Sequence, residues 1–144
     1  MPQTPAEVLK NAALYTDHQD YALVKLPPKA ITAAAGVIAQ VGEPFCALLV
    51  DKDEVSLILP AEAWEDFKPR LPGHQVSAQY YRLLTFDIEL KLDMVGFMAF
   101  VSRALADAGV SILPLAAYSR DHILVSAGQL DAALAALQKL QQDT

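Results

Sequence analysis

The sequence predicts an α+β fold made of two small lobes in tandem, each an antiparallel sheet with helices packed on one face. Three observations lead to this prediction. In residues 84–91, apolar and polar side chains alternate strictly, which is typical of a strand with one covered face. From Met94 to Ala108 the apolar residues follow a helical spacing, and Gly109 then ends the pattern. Apolar segments of the first half also recur, in the same order, in the second half.

The first lobe, residues 1–75, is predicted to begin with an extra helix. Thr4 has the side chain of an N-cap, Pro5 suits the first helical position, and Glu7 has capping-box spacing. We expect this helix to end near Tyr15. The predicted elements that follow are a strand at residues 21–26, a helix at 31–41, strands at 45–50 and 55–59, and a short helix opened by Pro60.

The second lobe, residues 76–144, reads strand, helix, strand, strand, helix. After the strand at 84–91 and the helix from Met94, we expect strands at 110–117 and 121–125 and a final helix. Two copies of a split strand-helix-strand unit would make each lobe ferredoxin-like, with the order βαββαβ. The second lobe is one strand short, and either residues 76–81 or the first half could supply that strand. The recurring apolar positions lie about 65 residues apart: Leu23, Leu48 and Ile58, then Ile88, Leu113 and Leu124.

Composition excludes several classes of function. The formal net charge is −6 and the 11 basic residues are scattered, so we expect no nucleic-acid partner. No apolar run is long enough to span a bilayer and no leader sequence is recognisable, which favours a cytoplasmic location without a membrane partner. The three histidines are far apart and no phosphate or dinucleotide loop occurs, so we expect no metal site and no cofactor.

Three segments of the second half carry a resemblance to a known family. Residues 92–97 (LDMVGF), 108–112 (AGVSI) and 117–125 (AYSRDHILV) resemble the small bacterial tandem ACT-domain proteins. The resemblance implies a regulatory module that binds an amino acid or a similar metabolite where two units meet. It places the ligand between the loop before the second-half helix and the strand after that helix. The implied ligand-binding residues are Asp93, Met94, Val95, Gly96, Phe97, Ile112, Leu113, Pro114, Tyr118 and Asp121.

Several of these residues also have a structural interpretation. Asp93 could cap the helix by accepting a hydrogen bond from the amide of Val95 or Gly96. Gly96, expected in the first helical turn, is explained equally by close packing on the sheet or by close approach of a ligand. Asp121 is either a solvated turn residue or the partner of a ligand ammonium group, and Tyr118 could be a half-buried strand aromatic.

The first half lacks an equivalent of this loop, because residues 26–30 contain neither Asp nor Gly. We therefore expect one competent site per chain or none. Pro114 cannot complete a strand ladder and belongs on a sheet edge, which favours a homodimer.

The predicted function is reversible binding of an amino acid by a non-catalytic regulatory module. The alternative is a dimerisation or assembly module whose pocket is filled by Met94, Phe97 and Met98. Asp87 and Glu89 share the polar face of a strand, so we interpret them as solvated residues and not as an acid–base pair. The sequence therefore predicts no enzyme.

Overall fold

The computed structural model describes residues 3–144, which form an α+β fold of antiparallel strands and helices. The described elements in chain order are α1 (Pro5–Asn11), β1 (Ala13–Tyr15), β2 (Asp20–Leu26), α2 (Ile31–Val41), β3 (Ala47–Val50), β4 (Val55–Pro60), α3 (Ala61–Phe67), β5 (Gln75–Val76), β6 (Tyr81–Asp87), α4 (Phe97–Asp107), β7 (Leu113–Ala116), β8 (Asp121–Ser126) and α5 (Leu130–Gln142).

The chain divides into two compact units, and the division differs from the predicted one. One unit is continuous, His18–Tyr81, and we call it the continuous unit. The other joins residues 3–17 to Arg82–Thr144, and we call it the split unit. The predicted lobes were residues 1–75 and 76–144, and Met1 and Pro2 of the first lobe lie outside the described residues.

Two features explain why the boundaries differ. β5 pairs with β2, and the amide of Ser77 donates to the carbonyl of Leu23 at 2.9 Å, so the chain beyond residue 75 still belongs to the continuous unit. The extra N-terminal helix was expected in the first lobe. Instead α1 contacts α4 and α5, and Val8 and Leu9 are buried in the core of the split unit.

The continuous unit has the strand order β5-β2-β4-β3, with every pair antiparallel. Its elements follow the chain order strand, helix, strand, strand, helix, strand, which is the ferredoxin-like arrangement. The predicted helix at residues 31–41 is confirmed, as are the strands around it to within two residues. Its buried core includes Val37 of α2, Leu57 of β4 and Trp64 of α3.

The split unit has the strand order β1-β6-β8-β7. β1 pairs antiparallel with β6, Ala13 opposite Asp87 and Tyr15 opposite Thr85. The strand that the second lobe lacked therefore comes from the N-terminal segment and not from residues 76–81. Because residues 13–15 complete this sheet, α1 ends at Asn11, and the prediction that it continued to near Tyr15 was wrong.

The C-terminal helix fixes the end of α1. The side-chain amide of Gln141, near the end of α5, donates to the carbonyls of Leu9 and Ala12 at 2.9 Å each. The last carbonyls of a helix lack their usual partners within the helix, and the carbonyl of Leu9 also accepts from the amide of Ala12 at 3.1 Å. The Gln141 side chain adds a second donor to Leu9 and supplies one to Ala12. At the other end of α1, the predicted cap is confirmed, because the amide of Glu7 donates to Thr4 Oγ1 at 3.2 Å.

The predicted strand at residues 84–91 is shorter than expected and more buried. β6 ends at Asp87, since the amide of Ile88 turns back to the carbonyl of Phe86 at 2.8 Å. Leu84 and Phe86 enter the core of the split unit as predicted. Thr85 was expected in water but is only 5% exposed; its hydroxyl is hydrogen-bonded to His122 Nδ1 at 2.7 Å.

Candidate functional site

The candidate site lies within the split unit, where the loop between β6 and α4 meets the turn between β7 and β8. A cavity of about 370 Å³ opens there, and we call it the loop–hairpin cavity. Its lining residues are Leu90, Lys91, Leu92, Met94, Gly96, Phe97, Met98, Ala99, Ala116, Ala117, Tyr118, Ser119, Arg120 and Asp121.

Backbone hydrogen bonds shape the loop. The amide of Leu90 donates to the carbonyl of Ser119 at 2.7 Å, which ties the loop to the hairpin turn. The amide of Met94 donates to the carbonyl of Lys91 at 3.0 Å and closes a turn. The hairpin turn is closed in the same way, because the amide of Ala117 donates to the carbonyl of Arg120 at 3.0 Å. The loop is thus held against the hairpin on one side of the cavity.

Gly96 is the residue from which α4 begins. Its φ is 88°, in the left-handed region that glycine adopts without strain, and it makes no side-chain cap. A Cβ at this position would lie 3.8 Å from Pro5 Cγ, which is an ordinary contact. The backbone angle therefore favours glycine here, and close packing of protein atoms does not require it.

The N-terminus of α4 borders the cavity. Gly96, Phe97, Met98 and Ala99 all line it, and no side chain caps the amides of the first helical turn. Such amides carry a partial positive charge, and they are the ordinary binding groups for carboxylates and phosphates in proteins.

Asp121 supplies a negative charge to the cavity. It is half-buried, and burial raises the pKa of its carboxyl above the usual 3.8, while the adjacent His122 partly lowers it. Its side chain makes no hydrogen bond or ion pair with any residue in 3–144. The carboxylate is therefore available to a ligand cation.

His122 lies just outside the cavity lining. Burial lowers the pKa of its ring below the usual 6.5, Asp121 raises it in part, and Arg120 lowers it further. The ring nitrogen Nδ1 is bound to the Thr85 hydroxyl. Through this bond the start of β8, which carries Asp121, is attached to the centre of β6.

Five of the ten predicted ligand-binding residues line the cavity: Met94, Gly96, Phe97, Tyr118 and Asp121. Of these, Tyr118 is 83% exposed, so the alternative interpretation of a half-buried strand aromatic was wrong. The side chain of Phe97 is buried in the core and meets Phe86 edge-on, at 5.3 Å between ring centroids.

The other five predicted residues, Asp93, Val95, Ile112, Leu113 and Pro114, are not in the lining. α4 begins at Phe97, later than predicted, so Asp93 is not its cap and stands exposed in the loop with Val95. β7 begins at Leu113 instead of 110, and Ile112 packs against the core. Pro114 lies on β7, the last strand in the order of the split unit, as expected for an edge.

Sequence reasoning missed two charged lining residues, Lys91 and Arg120. Lys91 was assigned to a strand, and Arg120 was regarded only as part of a tight turn. The Arg120 side chain is anchored to the end of β6, where its Nε donates to Asp87 Oδ1 at 2.9 Å. The sequence signal for Arg120 was its position directly before Asp121. Its role becomes clear only in the structure, where β6 ends at Asp87 and this residue binds the Arg120 side chain.

The corresponding connection in the continuous unit is shorter. Between β2 and α2, residues Pro28–Ala30 form one turn of 3-10 helix, and the amide of Ala30 donates to the carbonyl of Pro27 at 2.9 Å. The helix then begins at once, with no loop that could face its own hairpin. The absence of Asp and Gly in residues 26–30 thus corresponds to a different local structure.

Two kinds of feature are absent from the described part of the chain. Within residues 3–144, no three His, Cys, Asp or Glu side chains come together as metal ligands would. None of the helices in the same range combines the length and the apolar character that crossing a membrane requires.

Comparison with known proteins gives a family for part of the chain. Residues 76–139 match the family model of the ACT domain. No curated protein gives a significant match.

Solved structures resemble the chain over most of its length. A protein of unknown function from Vibrio cholerae, described as a possible transport protein, is 25% identical with a TM-score of 0.70, covering 92% of each chain. A protein from Agrobacterium tumefaciens is 19% identical with a TM-score of 0.70, covering 90% of this chain and 89% of that one. The regulatory subunit of aspartate kinase from Thermus flavus is 16% identical with a TM-score of 0.62, covering 88% and 95%. The last two likenesses show the fold alone.

Proposed function

We propose that this chain, whose residues 76–139 match the family model of the ACT domain, is a non-catalytic regulatory module that binds an amino acid in the loop–hairpin cavity. One observation carries the proposal: the uncapped N-terminus of α4 and the unpaired carboxylate of Asp121 line the same cavity. A free amino acid has one carboxylate and one ammonium group, and the cavity offers a group of opposite charge for each.

The amides of the first turn of α4 would bind the carboxylate. Carboxylates near a helix N-terminus gain hydrogen bonds and a favourable interaction with the helix dipole, typically about 0.3–1 kcal/mol from the dipole alone. Asp121 would bind the ammonium group. Burial disfavours the charged form of its carboxyl, and a ligand cation would offset that cost by favouring the same charged form.

The alternative assembly function requires a pocket filled by side chains. Met94, Phe97 and Met98 were the residues expected to fill it, yet all three line about 370 Å³ of open volume that also contains a carboxylate. These features favour ligand binding over a purely structural role. The regulatory subunit of aspartate kinase among the structural neighbours supports a regulatory role as well.

We further propose that the two units are ACT-like lobes in tandem and that the chain acts as a homodimer. The ferredoxin-like strand order of the continuous unit supports the first point, since ACT domains have the same order. For the second point, the support is Pro114 on β7, at the end of the strand order of the split unit. An edge strand offers unpaired backbone groups to a second copy.

A thermal-shift screen against the twenty amino acids, with nucleotides as controls, tests the function. A ligand at about 100 times its Kd adds about 2.7 kcal/mol to the free energy of unfolding, which shifts Tm by several degrees in a chain of this size. We expect a selective shift that Asp121→Asn abolishes and Asp143→Asn, an exposed carboxylate outside the cavity, retains. No shift from any amino acid at millimolar concentration would contradict the proposal.

A further inference from the structure

The charges that line the loop–hairpin cavity are not balanced. Three charged side chains line it: Lys91 and Arg120 are cations and Asp121 is an anion, which leaves one positive charge in excess. The protein as a whole has a formal net charge of −6, so this local excess runs against the composition of the chain. A ligand with one ammonium and one carboxylate would leave a cation of the lining without a partner.

The side chain of Arg120 is held in place by one ion pair, but most of its N–H donors are not used by it. Its Nε donates to Asp87 Oδ1 at 2.9 Å, and this ion pair joins the hairpin turn to the end of β6. A guanidinium has five N–H donors in a fixed plane, and Nε accounts for one of them. Within residues 3–144 the terminal nitrogens of Arg120 make no hydrogen bond or ion pair. They form the fork that binds a carboxylate through two parallel hydrogen bonds.

Lys91 is held close to Arg120 in the lining. The residues directly before them, Leu90 and Ser119, are joined by the 2.7 Å backbone hydrogen bond between loop and hairpin. In the described part of the chain Lys91 has no ion-pair partner. Two cations therefore line the cavity from backbone segments that are hydrogen-bonded to each other, and each of them can bind a further negative charge.

We propose that the ligand is an amino acid with an anionic side chain, whose second carboxylate is bound by Arg120 and Lys91. This rests on the proposed function and specifies the ligand class of the same cavity. Asp121 binds the ammonium group, the amides of α4 bind the first carboxylate, and the two cations of the lining share the second carboxylate. Asp87 is a positioning residue, because it orients Arg120 and does not line the cavity.

The matched ligands for a test are glutamate with glutamine and aspartate with asparagine, which differ in charge but hardly in shape. Because charge-assisted bidentate hydrogen bonds are about twice as strong as neutral ones, we expect the acid of at least one pair to bind about tenfold or more tightly than its amide. Titration calorimetry on the purified full chain measures both Kd values.

Variants then assign the preference to its residue. Arg120→Gln should weaken binding of the acid and bring the acid-to-amide affinity ratio close to one, while Arg120→Lys should give an intermediate ratio because it keeps the charge but loses the fork. Asp87→Asn should lower the ratio less than Arg120→Gln does. Arg103→Gln removes an exposed arginine of the same unit, which pairs with Asp107 outside the cavity, and should leave the ratio unchanged.

The outcomes separate the two proposals. If amino acids bind but acid and amide bind equally, or if Arg120→Gln retains the wild-type ratio in a folded protein, the acidic-ligand proposal is wrong and the amino-acid function stands. If only an apolar or a basic amino acid binds, the conclusion is the same. If no amino acid binds, both proposals are overturned.

Discussion

His122 shows how one side chain connects the candidate site to stability. Its ring is half-buried, it is hydrogen-bonded to the buried Thr85, and Asp121 and Arg120 are the charged neighbours that act on it. Burial lowers the pKa of the folded-state imidazole below 6.5, so the unfolded chain binds more protons than the folded chain in that range. The contribution of His122 to the free energy of unfolding is therefore fully present above pH 6.5. It is lost as the pH falls through the lowered pKa of the folded state.

We predict that His122→Asn reduces this loss of stability with falling pH. Denaturant unfolding of wild type and variant between pH 8 and pH 5 measures the effect, with His18→Asn as the control, because asparagine tolerates the positive φ of 60° at that position. The raised pKa of Asp121 has the opposite effect on stability: as the pH rises through the acidic range in which Asp121 titrates, the folded protein becomes less stable. A variant with the wild-type slope would show that His122 does not cause the dependence.

Two glycines with similar free space should respond to alanine in opposite ways. Gly36 lies inside α2 with nothing within 4 Å of an added Cβ, so Gly36→Ala should stabilise the protein by about 0.5–1 kcal/mol. Gly96 has a φ of 88°, so Gly96→Ala should destabilise it by about 1–2 kcal/mol although the nearest atom is 3.8 Å away. Denaturant midpoints of the two variants measure the difference. If Gly36→Ala also destabilised the protein, the prediction that backbone conformation separates the two positions would be wrong.

At the scale of elements, β1 and α5 together complete the split unit. β1 has three residues and pairs with β6, while Gln141 of α5 binds the carbonyls on either side of the end of α1. A three-residue strand contributes few hydrogen bonds of its own. The position of β1 therefore depends on the end of α1, which directly precedes it and is held by Gln141.

We predict that Gln141→Ala destabilises the protein by about 1–3 kcal/mol, because the carbonyl of Ala12 loses the Gln141 donor in a partly buried place and the carbonyl of Leu9 keeps only its bond from the Ala12 amide. The amides of residues 13–15 should then exchange hydrogen faster than in wild type. Gln142→Ala is the matched control, since Gln142 is the exposed neighbour on the same helix and its side chain makes no hydrogen bond with any residue in 3–144. Equal effects of the two variants would rule out a specific role for Gln141.

Element positions could be predicted wherever one local pattern was sufficient. The helical stripe placed Phe97, Val101 and Leu105 on the buried face of α4, and the structure confirms all three. The start of that helix was predicted too early, because Asp93 and Met94 satisfy a capping pattern that the turn at Lys91 overrides. Residues 88–91 continue the alternation of β6, but the chain leaves the sheet after Asp87 to meet the hairpin.

For the candidate site, local sequence indicated five of the fourteen residues that line the loop–hairpin cavity. The motif residues Met94, Gly96, Phe97, Tyr118 and Asp121 line the cavity, whereas Leu113 and Pro114 belong to β7 and Ile112, just before it, packs against the core. Arg120 could not be singled out, because its role depends on an ion pair with Asp87, 33 positions earlier in the chain. No spacing rule connects two such residues.

At the scale of the whole molecule, the sequence by itself determined an α+β chain with two units and its loop–helix motif in the second half. These features depend on local patterns: alternation, helical stripes, caps and prolines. Tertiary structure alone decided that residues 13–15 complete the sheet of the split unit and that Lys91, Arg120 and Asp121 share one cavity. The physical reason is that strand pairing and ion pairs join residues far apart in the chain, and their energy depends on geometry that no local pattern contains.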